Sequence, residues 1–391
     1  MNRRGRHVVA RRAALAVGIL LPAMLTACGH EGAGPGAASA GLPAVVKVVS
    51  INAQTGQVSF AGIPATRGAQ VAVDEITRTK FLGDTTIEVK YLDSTGTPQT
   101  AAGLAAQAVA SRQYSAILGG ILTTEAFTVA PIAQKGKVPV IFTQSNGDGV
   151  VIGDYTFRAT ASFTRYYDVM GTYLRNKGVK TIALLYNSDV ASYQELATLI
   201  GSWTAKFGIS VVADKSVVSS TQDFTAPIAS LVSAKPDAVA KFLLGTANAT
   251  ALQQLRQAGF DGPVIATNSD SGGNIAGAGS AGAGAAWPTD FSSAQTDRVA
   301  TDFTAAYKAK FNGAAPNPYA AEGYDAVWWL ARAIKVAGRA TPADIQRGLV
   351  FVAKMGFTGA TGPITFDGNE FTLRTPKVVA WDGRAERLVK P

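Results

Sequence analysis

Apolar positions in this chain fall into two rhythms that take turns. Short stretches rich in apolar residues at 45–51, 87–92, 116–118 and 138–142 predict strands. Between them, apolar residues recurring every three or four positions predict helices over 68–79, 97–111 and 124–135, with Pro98 in the first turn of the second. Residues 52–60 are polar and read as a loop. A strand at 155–158 and a helix at 163–177 lead into a second series. There, strands 181–186, 209–218, 238–244 and 264–266 alternate with helices 193–207, 224–233 and 247–258. This alternation predicts an α/β chain with parallel sheets covered on both faces, in two domains that meet near 159–162. The Gly/Ala-rich stretch 272–284 reads as a low-complexity loop or a segment near a hinge. Helices follow at 296–311, 319–337 and 342–349, and the tail predicts short strands joined by Asp-Gly turns. Trp328 and Trp329 share their helix with Val327, Leu330 and Ile334 at core spacing, which marks them for packing rather than ligand stacking.

The stretch 115–146 gives the clearest lead to a site. Its strand–helix–strand pattern places both turns on the carboxyl edge of a parallel sheet, where open α/β folds bind small molecules. One turn offers Thr123 and Thr124 ahead of a helix, the other Ser145 and Asn146. Hydroxyls, an amide and free backbone N–H groups suit a carboxylate or similar polar head. Helix capping by Thr123 or Thr124 is the alternative use of the first pair.

Charge and composition narrow the function. The 391 residues are 16% charged and 47% hydrophobic, with a formal charge of +9. Residues 1–27 hold five arginines and no acid, so the remainder carries 31 basic against 27 acidic residues. Its basic side chains are scattered, which gives no reason to expect a nucleic-acid partner. The amino end has a basic region, an apolar run over 13–25 and then Leu-Thr-Ala-Cys-Gly ending at Gly29. That resembles a bacterial lipobox, with residues 1–27 as signal peptide and Cys28 as the lipidated first residue. Export through the general route is expected, with the Arg11–Arg12 pair raising the twin-arginine route as an alternative. Residues 28–41 read as a flexible tether. Cys28 is the only cysteine, and the two histidines, His7 and His30, both precede the body. The body therefore offers no Ser-His-Asp or Cys-His nucleophile and no His or Cys metal ligand. Only carboxylate-based hydrolysis stays open as an enzymatic reading. The expectation is a binding protein with no cofactor, not an enzyme.

Several motifs taken together carry a family resemblance. They are the lipobox and tether, GAQVAVDEI, GGILTTEAFTVAPIAQKGKVPVIFTQSN, AEGYDAVWWLARAI and the closing GATGPITFDGNE with PKVVAWDGRAERLV. In this order they resemble extracytoplasmic solute-binding proteins of ABC importers, of the branched-chain amino acid type with the type I periplasmic-binding fold, over about residues 42–391. The resemblance implies two doubly wound lobes, 42–159 with 288–360 and 160–287 with 361–391. Three hinge crossings would lie near 158–160, 287–288 and 359–364, and a ligand would bind in the cleft. It also implies a membrane permease as partner, a monomeric body and an extracytoplasmic location tethered through Cys28. A sensor of the same fold is the alternative.

Carried across residue by residue, the resemblance puts Thr124, with Thr123 beside it, on a ligand carboxylate. Ser145 and Asn146 follow from the next loop, Tyr193 or Ser192 closes from the second lobe, and Asp270 pairs with an α-ammonium. Phe60 is the first-loop aromatic, unless Ala61 stands there instead. The sequence departs from the pattern at Gly245–Asn248, where a second aromatic is expected, and at Asn146, where a small hydroxyl residue is usual. An amino acid, an amide, a short carboxylate or an aromatic acid all remain candidate ligands.

Overall fold

Val46 and Val48 sit in one apolar cluster, while Val49 and Ile51 on the same strand sit in another. Successive side chains of a strand point to opposite faces, so this strand is covered on both. The computed structural model describes residues 41–372 and 376–391. The expected signal peptide, Cys28 and nearly all of the tether lie outside the described residues.

The chain runs β1 (Val45–Asn52), α1 (Ser59–Arg78), β2 (Thr86–Asp93), α2 (Pro98–Ser111), β3 (Ala116–Gly119), α3 (Thr123–Gly136), β4 (Val140–Phe142) and β5 (Thr156–Arg158). It continues with α4 (Phe163–Tyr166), α5 (Asp168–Asn176), β6 (Thr181–Asn187), α6 (Ala191–Gly201), α7 (Trp203–Phe207), β7 (Ser210–Val217), α8 (Thr225–Ser233), β8 (Ala238–Phe242), α9 (Ala247–Gln257), β9 (Val264–Ile265) and β10 (Ala285–Thr289). Last come α10 (Arg298–Lys310), α11 (Pro318–Ala337), α12 (Pro342–Met355), β11 (Phe357–Gly359), β12 (Gly362–Asp367), β13 (Glu370–Thr372), β14 (Lys377–Trp381) and β15 (Glu386–Val389).

Two sheets organise these elements, in the orders β11-β12-β13-β5-β4-β3-β1-β2 and β15-β14-β10-β9-β8-β6-β7. Each contains the same parallel motif, in which the first strand of a series lies between the second and the third. The chain reverses direction of winding beside β1 in one sheet and beside β6 in the other. At such switch points the carboxyl ends of the strands open a crevice. The fold is therefore two α/β lobes with mostly parallel sheets, as the alternating pattern predicts.

Several boundaries differ from the sequence expectation. Helix α1 begins at Ser59, well before residue 68, and carries Pro64 inside it. Its polar lead-in disguised the start as loop. Helix α12 runs on to Met355. The Gly/Ala stretch is neither open loop nor hinge. It contains a 3₁₀ segment at Ala276–Gly282, and Ile275 and Ala278 join the apolar core of the second lobe. Gln253 and Arg256 of α9 donate to the carbonyls of Gly277 and Ala281.

The assignment of residues 361–391 to the second lobe needs correction. Strand β12 pairs with β11 and β13, and β13 pairs with β5, so 362–372 belong to the first sheet. The chain reaches the second sheet only at β14, which pairs antiparallel with β10. Residues 287–288 likewise lie inside β10, a strand of the second sheet, rather than at its exit. Trp329 is packed as expected, with ring centroids 5.5 Å from Phe157 and 5.2 Å from Phe371.

The first lobe is locked by the contact of α1 with α11. A Cβ on Gly68 would lie 1.8 Å from the Ala320 carbonyl oxygen, and one on Gly323 would lie 2.2 Å from that of Ala65. Only glycine permits backbones this close. The approach sets Phe60 of α1 edge-on to Tyr319 of α11, with centroids 5.9 Å apart. Substituting Gly68→Val should part the helices and lower unfolding stability by about 1–3 kcal/mol in urea titrations, the usual cost of overpacking; an unchanged midpoint would refute the tight contact.

Candidate functional site

The carboxyl ends of both sheets face a cavity of about 40 Å³. From the first lobe come Phe60 on α1, Leu122 ahead of α3, Gln144 and Asn146 after β4, and Tyr319 at the start of α11. From the second come Phe163 on α4, Ser192 and Tyr193 on α6, and Asn268 and Ser269 after β9. Aromatic rings flank it in pairs, Phe60 with Tyr319 and Phe163 with Tyr193, the latter 6.2 Å apart between centroids. None of the sixteen lining residues is charged.

The lobes meet at the rim as well. Gln57 Nε2 donates to the Ser219 carbonyl at 2.7 Å, and the Asp148 N–H donates to Glu195 Oε2 at 3.0 Å. Val58, Ala61 and Ile121 of the first lobe join the same apolar cluster as Tyr193 and Leu244 of the second. The cleft is closed.

The expected site residues divide. Phe60, Asn146 and Tyr193 line the cavity, as do the alternatives Ala61 and Ser192. The hydroxyl of Tyr193 lies 3.2 Å from Thr267 Oγ1, and burial pushes its phenol up to about 12, so it stays protonated. Asn146 Nδ2 donates to Thr160 Oγ1 at 3.1 Å and to the Ala161 carbonyl at 2.9 Å.

Thr123, Thr124, Ser145 and Asp270 do not line it. Thr123 is buried and accepts from the Gly147 N–H at 3.1 Å, so it braces the neighbouring loop. Thr124 is half-buried in the first turn of α3. Ser145 donates back to the carbonyls of Gly120 and Leu122. The backbone N–H groups of Ile121 and Leu122, in the turn ahead of α3, donate to Glu125 Oε2 at 3.1 and 3.0 Å. The chain's own acid caps this helix, a capping-box arrangement.

Asp270 is the largest correction. Both its oxygens accept from Lys241 Nζ, at 2.9 and 3.1 Å, and neither side chain is exposed to solvent. Lys241 also donates to Asn248 Oδ1. Burial pushes the Asp270 carboxyl up and the Lys241 ammonium down, while each charge opposes the shift of the other. The acid expected on a ligand ammonium is neutralised within the protein. Lys241 was legible as the lone charge in the apolar run of β8, and a charge so placed calls for a partner.

Behind Asn146 lies a second buried cluster. Thr160 Oγ1 passes a hydrogen bond to Glu322 Oε1 at 2.8 Å. Burial, reinforced by the charge of Asp290, pushes the Glu322 carboxyl well above the usual range. Arg158 holds the β4 loop from beneath, donating to the carbonyls of Ser145 and Gly147 and pairing with Glu370 at 2.8 Å. Among the described residues no group of side chains is suited to hold a metal ion.

A family description, periplasmic binding protein, matches residues 45–380. The chain belongs to that family. Solved structures of periplasmic binding proteins share its type I fold. LivJ, a branched-chain amino acid transporter substrate-binding protein from Streptococcus pneumoniae in complex with isoleucine, is 24% identical with a TM-score of 0.81, over 89% of this chain and 100% of that one. The leucine-binding protein LivK from Thermotoga maritima is 27% identical with a TM-score of 0.80, over 88% and 97%. A solute-binding protein of an ABC transporter from R. palustris, in complex with benzoate, is 19% identical with a TM-score of 0.80, over 88% and 96%. No curated protein sequence matches the chain.

Two measurements check the buried clusters. Asp270→Asn leaves Lys241 charged and unpaired in the core and should cost about 3–5 kcal/mol of stability by chemical denaturation; a loss near zero would mean the pair is solvated. Glu322 binds its proton more tightly folded than unfolded. Its contribution is therefore full below the unfolded pKa and fades as pH rises through the raised folded value. Stability should fall toward alkaline pH, and Glu322→Gln, which mimics the protonated acid, should flatten that slope.

Proposed function

We propose that this periplasmic binding protein is the solute receptor of an ABC importer, held at the outer face of the cell membrane through lipidated Cys28 and delivering its cargo to a membrane permease. The observation that carries the reading is the cavity to which both lobes contribute, at the carboxyl ends of both sheets. A solute there touches Phe60, Asn146 and Tyr319 on one side and Phe163, Ser192 and Tyr193 on the other. Such a solute has contacts to both lobes only when the cleft is shut, so it shifts the population toward the closed form by that difference in contact. The permease then reads closure, and no bond in the solute need change. This is binding, not catalysis.

The cargo is a small solute within the range of amino acids, amides and small acids. The family match and the type I fold shared with LivJ and LivK support the transport assignment. A thermal-shift screen of amino acids, amides and short or aromatic acids should find at least one that raises the melting temperature by mass action. Tyr193→Ala and Phe60→Ala should each weaken that solute by about tenfold or more, through loss of an aromatic wall. Full affinity in both variants would place the solute elsewhere.

A further inference from the structure

We infer that the cavity selects an uncharged solute, one that offers an N–H or O–H donor beside an apolar body, with a primary carboxamide as the simplest such group. The inference rests on the receptor reading above and narrows its ligand. Its basis is the fate of the charges that a charged solute would need.

A zwitterion or a carboxylate needs opposite charge or a row of free donors, and the protein turns the nearest acid and the two N–H groups ahead of α3 to its own use. The acid on the second lobe, Asp270, is matched by Lys241 with Asn248 completing the ammonium's bonds. The backbone donors ahead of α3 are matched by Glu125, which is itself fully buried. No lining residue carries charge. A charge shut into such a space without a partner costs several kcal/mol, more than a small solute recovers from apolar contact. A neutral group escapes that penalty.

What the cavity does offer is neutral and asymmetric. Asn268 lines it, and its buried Oδ1 has no hydrogen-bond partner. A buried acceptor left unpaired carries a desolvation penalty of its own, which a donor on the solute would remove. Ser192 can serve a solute carbonyl as a donor. The paired aromatic rings supply an apolar bed for the remainder. An amide group set against Asn268 and Ser192, with its hydrocarbon part between the rings, meets all three.

The test uses the purified full chain and pairs of equal shape that differ in charge: isobutyramide against isobutyrate and valine, and benzamide against benzoate, by calorimetry and thermal shift at neutral pH. Each amide that binds should do so at least tenfold more tightly than its charged counterpart. Asn268→Leu should weaken it about tenfold or more, with the melting temperature of the solute-free protein held as the control for folding. Tighter binding of benzoate, isobutyrate or valine than of the amide overturns the inference and leaves the receptor reading intact. Failure of every probe to bind also overturns it, whereas the receptor reading falls only if the wider screen finds no solute at all.

Discussion

A charge enclosed between two lobes must find its partner before the cleft shuts, and this constraint shapes the interior of the protein. Lys241 and Asp270 neutralise each other with no exposure to water. Glu125 turns back onto the N–H groups ahead of its own helix. Arg158 spends its guanidinium on two loop carbonyls and Glu370. Such pairs add little net stability over apolar packing, but removing one member strands the other in a low-dielectric interior. Their effect is to fix loops in one arrangement and to leave the cavity wall neutral.

Around that wall the architecture supplies leverage. The two sheets share a strand order, so each lobe presents the same kind of crevice at its carboxyl edge. Helix α11 brings Tyr319 to the cleft, and its glycine-mediated contact with α1 brings Phe60 beside it. The matching pair, Phe163 and Tyr193, rides on α4 and α6 of the other lobe. Rim contacts between Gln57 and Ser219, and between Asp148 and Glu195, exist only when these surfaces meet. The contacts between the lobes thus come from points far apart in sequence.

Residue by residue, the site was half legible. Asn146, read from the turn after β4, and Phe60 and Tyr193, carried over from the family resemblance, line the cavity. Gln144, Tyr319, Phe163 and Asn268 carried no signal of their own, since a glutamine or an aromatic beside a turn is common in any α/β chain. Asp270, expected on a ligand ammonium, is instead paired with Lys241 outside the cavity lining. Its partner stands 29 residues earlier, in β8.

The sequence by itself determined which segments become strands and which become helices, because period-two and period-3.6 burial are local properties of the chain. It also determined that the folded body lacks histidine and cysteine, and with them much nucleophilic and metal chemistry. Only the tertiary structure decided which sheet each terminal strand joins, since a β-strand's pattern records that it will pair but not with whom. It alone decided where the charges go, because the energy of a buried ion depends on the atoms around it in space, and those come from distant parts of the chain.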